Sequence, residues 1–124
     1  MPPELCANRL EQVRSAVGAS RTLELADELT ARVAALLEAI GSQSGANAEL
    51  AAEAHKTRSA AGALALLRLS DTLERLEAAL RKPQAHAAVA AAAQAVQRDM
   101  AAGAAALAEA LSAGGAAHPS VLTS

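Results

Sequence analysis

Half of this chain is apolar, yet it contains no aromatic side chain. Of its 124 residues, 52% are hydrophobic and none is Phe, Tyr or Trp, and alanine supplies much of the apolar content. Alanine is the best helix former and is depleted in strands. We therefore expect an all-α fold whose core consists of Leu, Val, Ile, Met and Ala. A chain of this length is large enough to bury a modest core as one domain.

Composition also excludes several classes of partner and location. The net charge is −2 and no long basic run occurs, which argues against a protein that binds nucleic acid through phosphate contacts. No segment has the length and apolarity of a membrane span, and the first residues lack the basic and apolar regions of a secretory signal. The single cysteine, Cys6, excludes an internal disulfide and is expected in the core. The sequence predicts a cytoplasmic monomer.

The spacing of apolar residues predicts five helical segments. Gly18 is expected to end the first, and the second starts near Ser20, a good N-cap. A Gly- and Ser-rich loop at 41–46 precedes the third segment. The fourth is expected to start at Ser70 and Asp71.

The fifth segment contains the Ala-rich part of the chain. Pro83 suits its first turn, and Gly114 and Gly115 are expected to end it. Long helices with short connections favour an antiparallel four-helix bundle, here with an additional N-terminal helix. A single domain at 1–113 and a disordered tail at 114–124 are predicted.

One histidine lies on the solvent side of the third predicted helix. At 100° per residue, five side chains fall on one core seam: Leu50, Ala54, Thr57, Ala61 and Leu64. His55 is about 140° away from this seam and is expected to be exposed. Small residues surround it on the same wheel: Ala48, Ala51, Ala52, Ser59 and Gly62. They predict a nearly flat surface on which a second protein can dock.

Two basic residues accompany the histidine. Arg58 follows one turn later, about 60° round the helix, where its guanidinium can reach a group on the imidazole. Lys56, about 100° round the helix, is a weaker candidate for the same role. A neutral imidazole is a nucleophile near pH 7 and can accept a phosphoryl group. From spacing alone, an ordinary surface histidine remains the alternative.

The residues that follow His55 resemble the pattern of histidine phosphotransfer (HPt) domains. That pattern has a basic residue one turn after the histidine, then small residues, then apolar residues ending in a Leu-Glu pair. The matching residues here are His55, Arg58, Ser59 with Ala60, Leu64, Ala65, Leu69, and Leu76 with Glu77. Ser59 and Ala65 stand where family members usually have glycine, and Ala65 leaves the end of the third helix open.

The resemblance implies an HPt-like bundle that relays phosphoryl groups in bacterial signalling. His55 would be the phosphoacceptor, and Arg58 and Lys56 would stabilise the phosphoryl group. The partners would be receiver domains of hybrid histidine kinases and response regulators. No ATP-binding motif occurs, so the chain is expected to be a phosphocarrier, not an enzyme. No cofactor is expected, because the receiver supplies the magnesium. The alternative is a helical adaptor, or a kinase-regulating protein, that binds a partner through the same face.

Overall fold

The part of the chain that the structure describes is almost entirely helical. The computed structural model describes residues 6–42 and 46–117, with side chains as far as 112. The four helices are α1 (Ala7–Gly41), α2 (Asn47–Ala63), α3 (Leu67–Arg81) and α4 (His86–Ala117). No strand occurs within those residues. The expected all-α fold class is confirmed.

The helices form a bundle around an aliphatic core. Helix α2 packs against α3, α3 against α4, and α1 against both α2 and α4. The largest fully buried apolar side chains are Leu66, Leu69, Leu73, Leu76, Leu107, Val33 and Val96. Burying one such side chain fully stabilises a fold by about 1.5–3 kcal/mol. Burial of Leu and Val, helped by buried alanines, therefore holds this bundle together.

Helix α1 is kinked at Gly18. Its backbone there is non-helical, with φ 84° and ψ 161°, a conformation open essentially to glycine alone. The segment before the kink reaches the turn after α2, because the Cys6 N–H donates to the Ala65 carbonyl at 2.9 Å and Leu10 is buried. The sequence predicts two helices separated at Gly18. The structure instead has one helical stretch, α1, that bends at this glycine.

The connection between α2 and α3 is shorter than predicted. Ala65 has a left-handed backbone with φ 69°, and the N–H of Leu66 bonds back to the Ala61 carbonyl at 3.0 Å. This bond closes the end of α2 as in a Schellman-type helix end. Helix α3 therefore starts at Leu67, and the predicted start at Ser70 is wrong.

Both ends of α4 differ from the prediction. The helix starts at His86, because Gln84 has a left-handed backbone with φ 56°, which leaves Pro83 in the connection. It continues through Gly114 and Gly115 to Ala117, since glycine ends a helix only where it leaves helical geometry. The remainder of the predicted tail, 118–124, lies outside the described residues, as do 1–5 and 43–45. No helix in the described ranges meets the length and hydropathy needed to cross a bilayer.

Replacing each of three glycines by alanine is predicted to change the stability of the fold in a different direction or by a different amount. A Cβ at Gly62 would meet only the Ser70 Oγ, at 3.8 Å, so Gly62→Ala should stabilise the fold by up to about 1 kcal/mol through helix propensity. A Cβ at Gly103 would lie 3.2 Å from the Leu66 Cδ2, and Gly103→Ala should lose most or all of that gain. Gly18→Ala should destabilise the fold, because alanine is strained at this φ and ψ.

Urea unfolding of the three variants beside the wild type measures these differences in the free energy of unfolding. Equal effects for Gly62→Ala and Gly103→Ala would contradict the close approach of Leu66 to α4. An unchanged Gly18→Ala variant would contradict the kink in α1.

Candidate functional site

His55 lies on the exposed side of α2, as predicted. Its side chain is 52% exposed. The five residues predicted to form the core seam of this helix are all buried: Leu50, Ala54, Thr57, Ala61 and Leu64. The helical wheel therefore oriented α2 correctly, and the imidazole is accessible to another molecule.

The imidazole Nδ1 has two neighbours, one on each of two helices. It lies 3.2 Å from the Glu77 Oε1 on α3 and 3.0 Å from the Arg58 Nη2 on α2. A carboxylate only accepts hydrogen bonds and a guanidinium only donates them, so a neutral ring can satisfy one of the two through Nδ1. Glu77 is the more buried partner, with a side chain 16% exposed, so leaving its Oε1 without a hydrogen bond costs more. We therefore assign the proton to Nδ1, donated to Glu77.

This assignment leaves the other ring nitrogen free. With the proton on Nδ1, the lone pair of a neutral imidazole is on Nε2. Within the described part of the chain, no residue is hydrogen-bonded to Nε2. On this assignment the exposed His55 side chain has one nitrogen with an unshared lone pair and one held by the protein.

Glu77 is kept ionised by its neighbours. Partial burial alone would raise its pKa, but hydrogen bonds from His55 and Arg81, and the charge of Arg81, outweigh burial and hold the pKa below its usual value. Arg81 donates from Nε to the Glu77 Oε2 at 3.3 Å. One carboxylate oxygen thus faces the histidine and the other faces an arginine.

Arg58 lies beside this carboxylate as well as beside the histidine. Its Nε is 3.9 Å from the Glu77 Oε1, and its Nη1 is 4.0 Å from the Glu74 Oε2. The Nε atom is buried and has no hydrogen-bond partner in the structure. Lys56 is exposed on the flank, with no ion pair to any described residue. Arg58 is therefore the basic group at the imidazole.

The predicted docking residues divide into three groups. Ala48, Ala52 and Ser59 are exposed around His55. Gly62 is half-buried, and its carbonyl accepts a hydrogen bond from the Arg9 Nη1 at 3.3 Å. Ala51 is completely buried, so its predicted place on the docking surface is wrong. Because α2 packs against both α1 and α3, its buried arc is wider than the single seam that the wheel assumed.

Two residues of the site were given no role from the sequence: Glu77 and Arg81. Glu77 was noted only as the last residue of the HPt-like pattern, and Arg81 was not considered. The Glu-Arg spacing of four residues was a usable signal, because such pairs share one helix face. Their position beside α2 depends on how the helices pack, which the wheel of a single helix does not contain.

The described residues contain no cluster of side chains suited to a metal ion. No group of three or more His, Cys, Asp or Glu side chains in the described ranges could hold a metal ion. A cavity of about 540 Å³ lies where α1 ends and α4 begins, and it is lined by His86 but not by His55.

Comparison with protein-family models, curated proteins and solved structures finds no match to this chain.

The low pKa of Glu77 predicts how stability depends on acid. Ionised Glu77 stabilises the fold at pH values above the ordinary glutamate pKa of about 4.3, and that contribution is lost as the pH falls through the lower pKa of the folded state. Glu77→Gln should therefore lose less stability than the wild type as the pH falls below about 4.3. Thermal unfolding between neutral pH and pH 3 measures this slope.

Glu74→Gln is the matched control, because it removes the same charge from the same helix at a side chain that is 63% exposed. Parallel pH profiles for the wild type and Glu77→Gln would contradict the bonding assigned to Glu77.

Proposed function

We propose that this chain is a histidine phosphotransfer protein that carries a phosphoryl group on His55 between the aspartates of two receiver domains. The observation that carries the proposal is the environment of the imidazole: Nδ1 lies 3.2 Å from the Glu77 carboxylate, and the His55 side chain is 52% exposed with no described residue hydrogen-bonded to Nε2. The order of small, basic and apolar residues after His55 agrees with the HPt pattern.

The chemistry follows from the two ring nitrogens. The Nε2 lone pair attacks the phosphorus of an aspartyl phosphate, the new N–P bond forms, and the P–O bond to the aspartate breaks as its carboxylate leaves with the electron pair. The ring keeps its Nδ1 proton and becomes positively charged. Glu77, which accepts that proton's hydrogen bond, stabilises the developing charge. The return step reverses these changes on a second aspartate.

In this proposal Arg58 stabilises the transferred group. A phosphoryl group brings a charge of up to about −2, and the Arg58 Nη2, which lies 3.0 Å from Nδ1, would turn toward the group on Nε2. A hydrogen bond to a charged group contributes about 1.5–3 kcal/mol when desolvated and less when exposed.

The location of His55 favours a protein donor over a small substrate. The imidazole is on an outer helix face, and among the described residues it does not line the cavity beside His86. Exposed Ala48, Ala52 and Ser59 leave room for a receiver to bring its aspartate and its own magnesium to Nε2. On this proposal the chain acts only with a partner and has no catalysis of its own.

The proposal includes a finer description of the fold. The part of α1 after Gly18, together with α2, α3 and α4, would form an antiparallel four-helix bundle, and the segment before Gly18 would be the additional N-terminal helix. The ring of contacts from α1 to α2, α3, α4 and back to α1 supports this arrangement.

His55 is expected to be the only residue that is phosphorylated. A panel of receiver domains carrying radiolabelled phosphate should transfer label to the wild type, and the label should be acid-labile, as expected of a phosphohistidine. His55→Gln should accept none while keeping its helix content by circular dichroism. His86→Gln, at another exposed histidine, is the control and should accept label normally.

Label that remains in His55→Gln would contradict the assignment. Receivers that bind the wild type tightly but never label it would favour the adaptor alternative.

The docking surface gives a second prediction. Ser59 is exposed and donates to the His55 carbonyl at 3.3 Å, so Ser59→Arg should change stability by about 0.5 kcal/mol or less. Its long side chain should nevertheless obstruct the receiver and reduce the transfer rate at least tenfold. Gln97→Arg adds the same side chain at an exposed site on α4, a helix without described contacts to α2, and should transfer normally.

Thermal unfolding and phosphotransfer are measured side by side on both variants. Full transfer by Ser59→Arg would mean that the partner does not approach over this face. A matching loss of stability and transfer would mean that Ser59 supports the fold instead.

A further inference from the structure

Glu77 is bound at both of its oxygens, and the two bonds have different partners. Its Oε1 lies 3.2 Å from the His55 Nδ1. Its Oε2 lies 3.3 Å from the Arg81 Nε and 3.3 Å from the Arg81 Nη2. The carboxylate therefore bridges an arginine of its own helix and the histidine of the neighbouring helix.

We infer that Arg81 is a positioning residue for His55: by holding the Glu77 Oε2, it aims Oε1 at Nδ1 and so keeps the reactive lone pair on Nε2. The inference deepens the proposed phosphotransfer function and rests on it for the consequence on transfer. Arg81 has no described contact with His55 itself, so it acts through Glu77.

The physical need for an anchor comes from the glutamate side chain. Its last torsion is broad and nearly two-fold, so a carboxylate bonded at one oxygen can rotate its other oxygen away from a partner. Two Arg81 nitrogens on the same oxygen restrict that rotation. Arg81 also favours the ionised form of Glu77. An ionised carboxylate accepts a hydrogen bond from the ring N–H, whereas a protonated carboxyl would donate one to the ring nitrogen.

Arg58 cannot do the same work. Its Nε is 3.9 Å from Oε1, the oxygen that already faces His55, and its Nη2 lies against Nδ1 at 3.0 Å. When a phosphoryl group arrives, Arg58 is the cation that turns toward it. Arg81, bonded to the far oxygen, can stay on Glu77 throughout the transfer.

The chain contains a matched control for an ordinary helical ion pair. Arg75 and Asp71 are also four residues apart on α3, with the Arg75 Nη2 at 3.0 Å from the Asp71 Oδ2. Neither contacts His55, Arg58 or Glu77 through a described hydrogen bond or ion pair. If Arg81 only adds a surface ion pair to α3, then removing Arg75 should have the same consequences.

The test compares Arg81→Ala, Arg81→Lys and Arg75→Ala by two measurements. The first is the His55 tautomer in the unphosphorylated protein, read from long-range ¹H–¹⁵N spectra at a pH well above the usual histidine range. Wild type and Arg75→Ala should show the Nδ1–H form, and Arg81→Ala should gain a clear population of the Nε2–H form. Arg81→Lys keeps the charge and should recover part of the wild-type population.

The second measurement is the rate of phosphoryl transfer from a labelled receiver. Arg81→Ala should slow it roughly tenfold, the size expected for losing a charge-assisted hydrogen bond, and Arg75→Ala should leave it unchanged. A wild-type tautomer in Arg81→Ala, or equal changes in Arg81→Ala and Arg75→Ala, would overturn the inference. A tautomer shift in a protein that accepts no label would support the positioning by Arg81 and count against the proposed function alone.

Discussion

The site depends on the register between α2 and α3, which is set by the turn at Ala65. His55 and Glu77 lie equally far from Leu66 along the chain, one before it and one after it, and so do Arg58 and Glu74. In two antiparallel helices joined by a tight turn, residues equidistant from the turn come to the same level. Ala65 makes the turn tight by adopting a left-handed backbone. A longer connection would shift α3 along α2 and separate the carboxylate from the imidazole.

Small side chains on α2 allow its neighbours to pack closely against it at this register. Ala51, Ala54 and Ala61 are completely buried on α2, and a helix that contacts its neighbours through alanine can approach them more closely than one that uses leucine. The short distance brings Glu77 within hydrogen-bond reach of a residue on the exposed side of α2. Alanine also occupies the outer face of α2, at Ala48 and Ala52. No long side chain therefore projects from these two positions beside His55.

The charges at the site are arranged around one carboxylate. Glu77 is the least exposed charged group there, and burial alone would raise its pKa, but His55 and Arg81 hold it ionised. Arg58 lies near the Glu77 oxygen that faces His55, and Arg81 binds the other oxygen. On the proposed function, this separation would leave Arg58 for an incoming phosphoryl group and Arg81 to keep the carboxylate in place.

The sequence by itself determined the all-α fold class, the interruption of helical geometry at Gly18, the core seam of α2 and the exposure of His55, because these follow from local propensity and from the periodicity of one helix. It did not determine that Ala51 is buried, where α3 and α4 begin, or that Glu77 and Arg81 complete the site. Those features were decided by the tertiary structure, since burial on the flank of a helix depends on how many neighbours it has. The bond between His55 and Glu77 depends on the angle and register of two packed helices, and no single-helix pattern contains either.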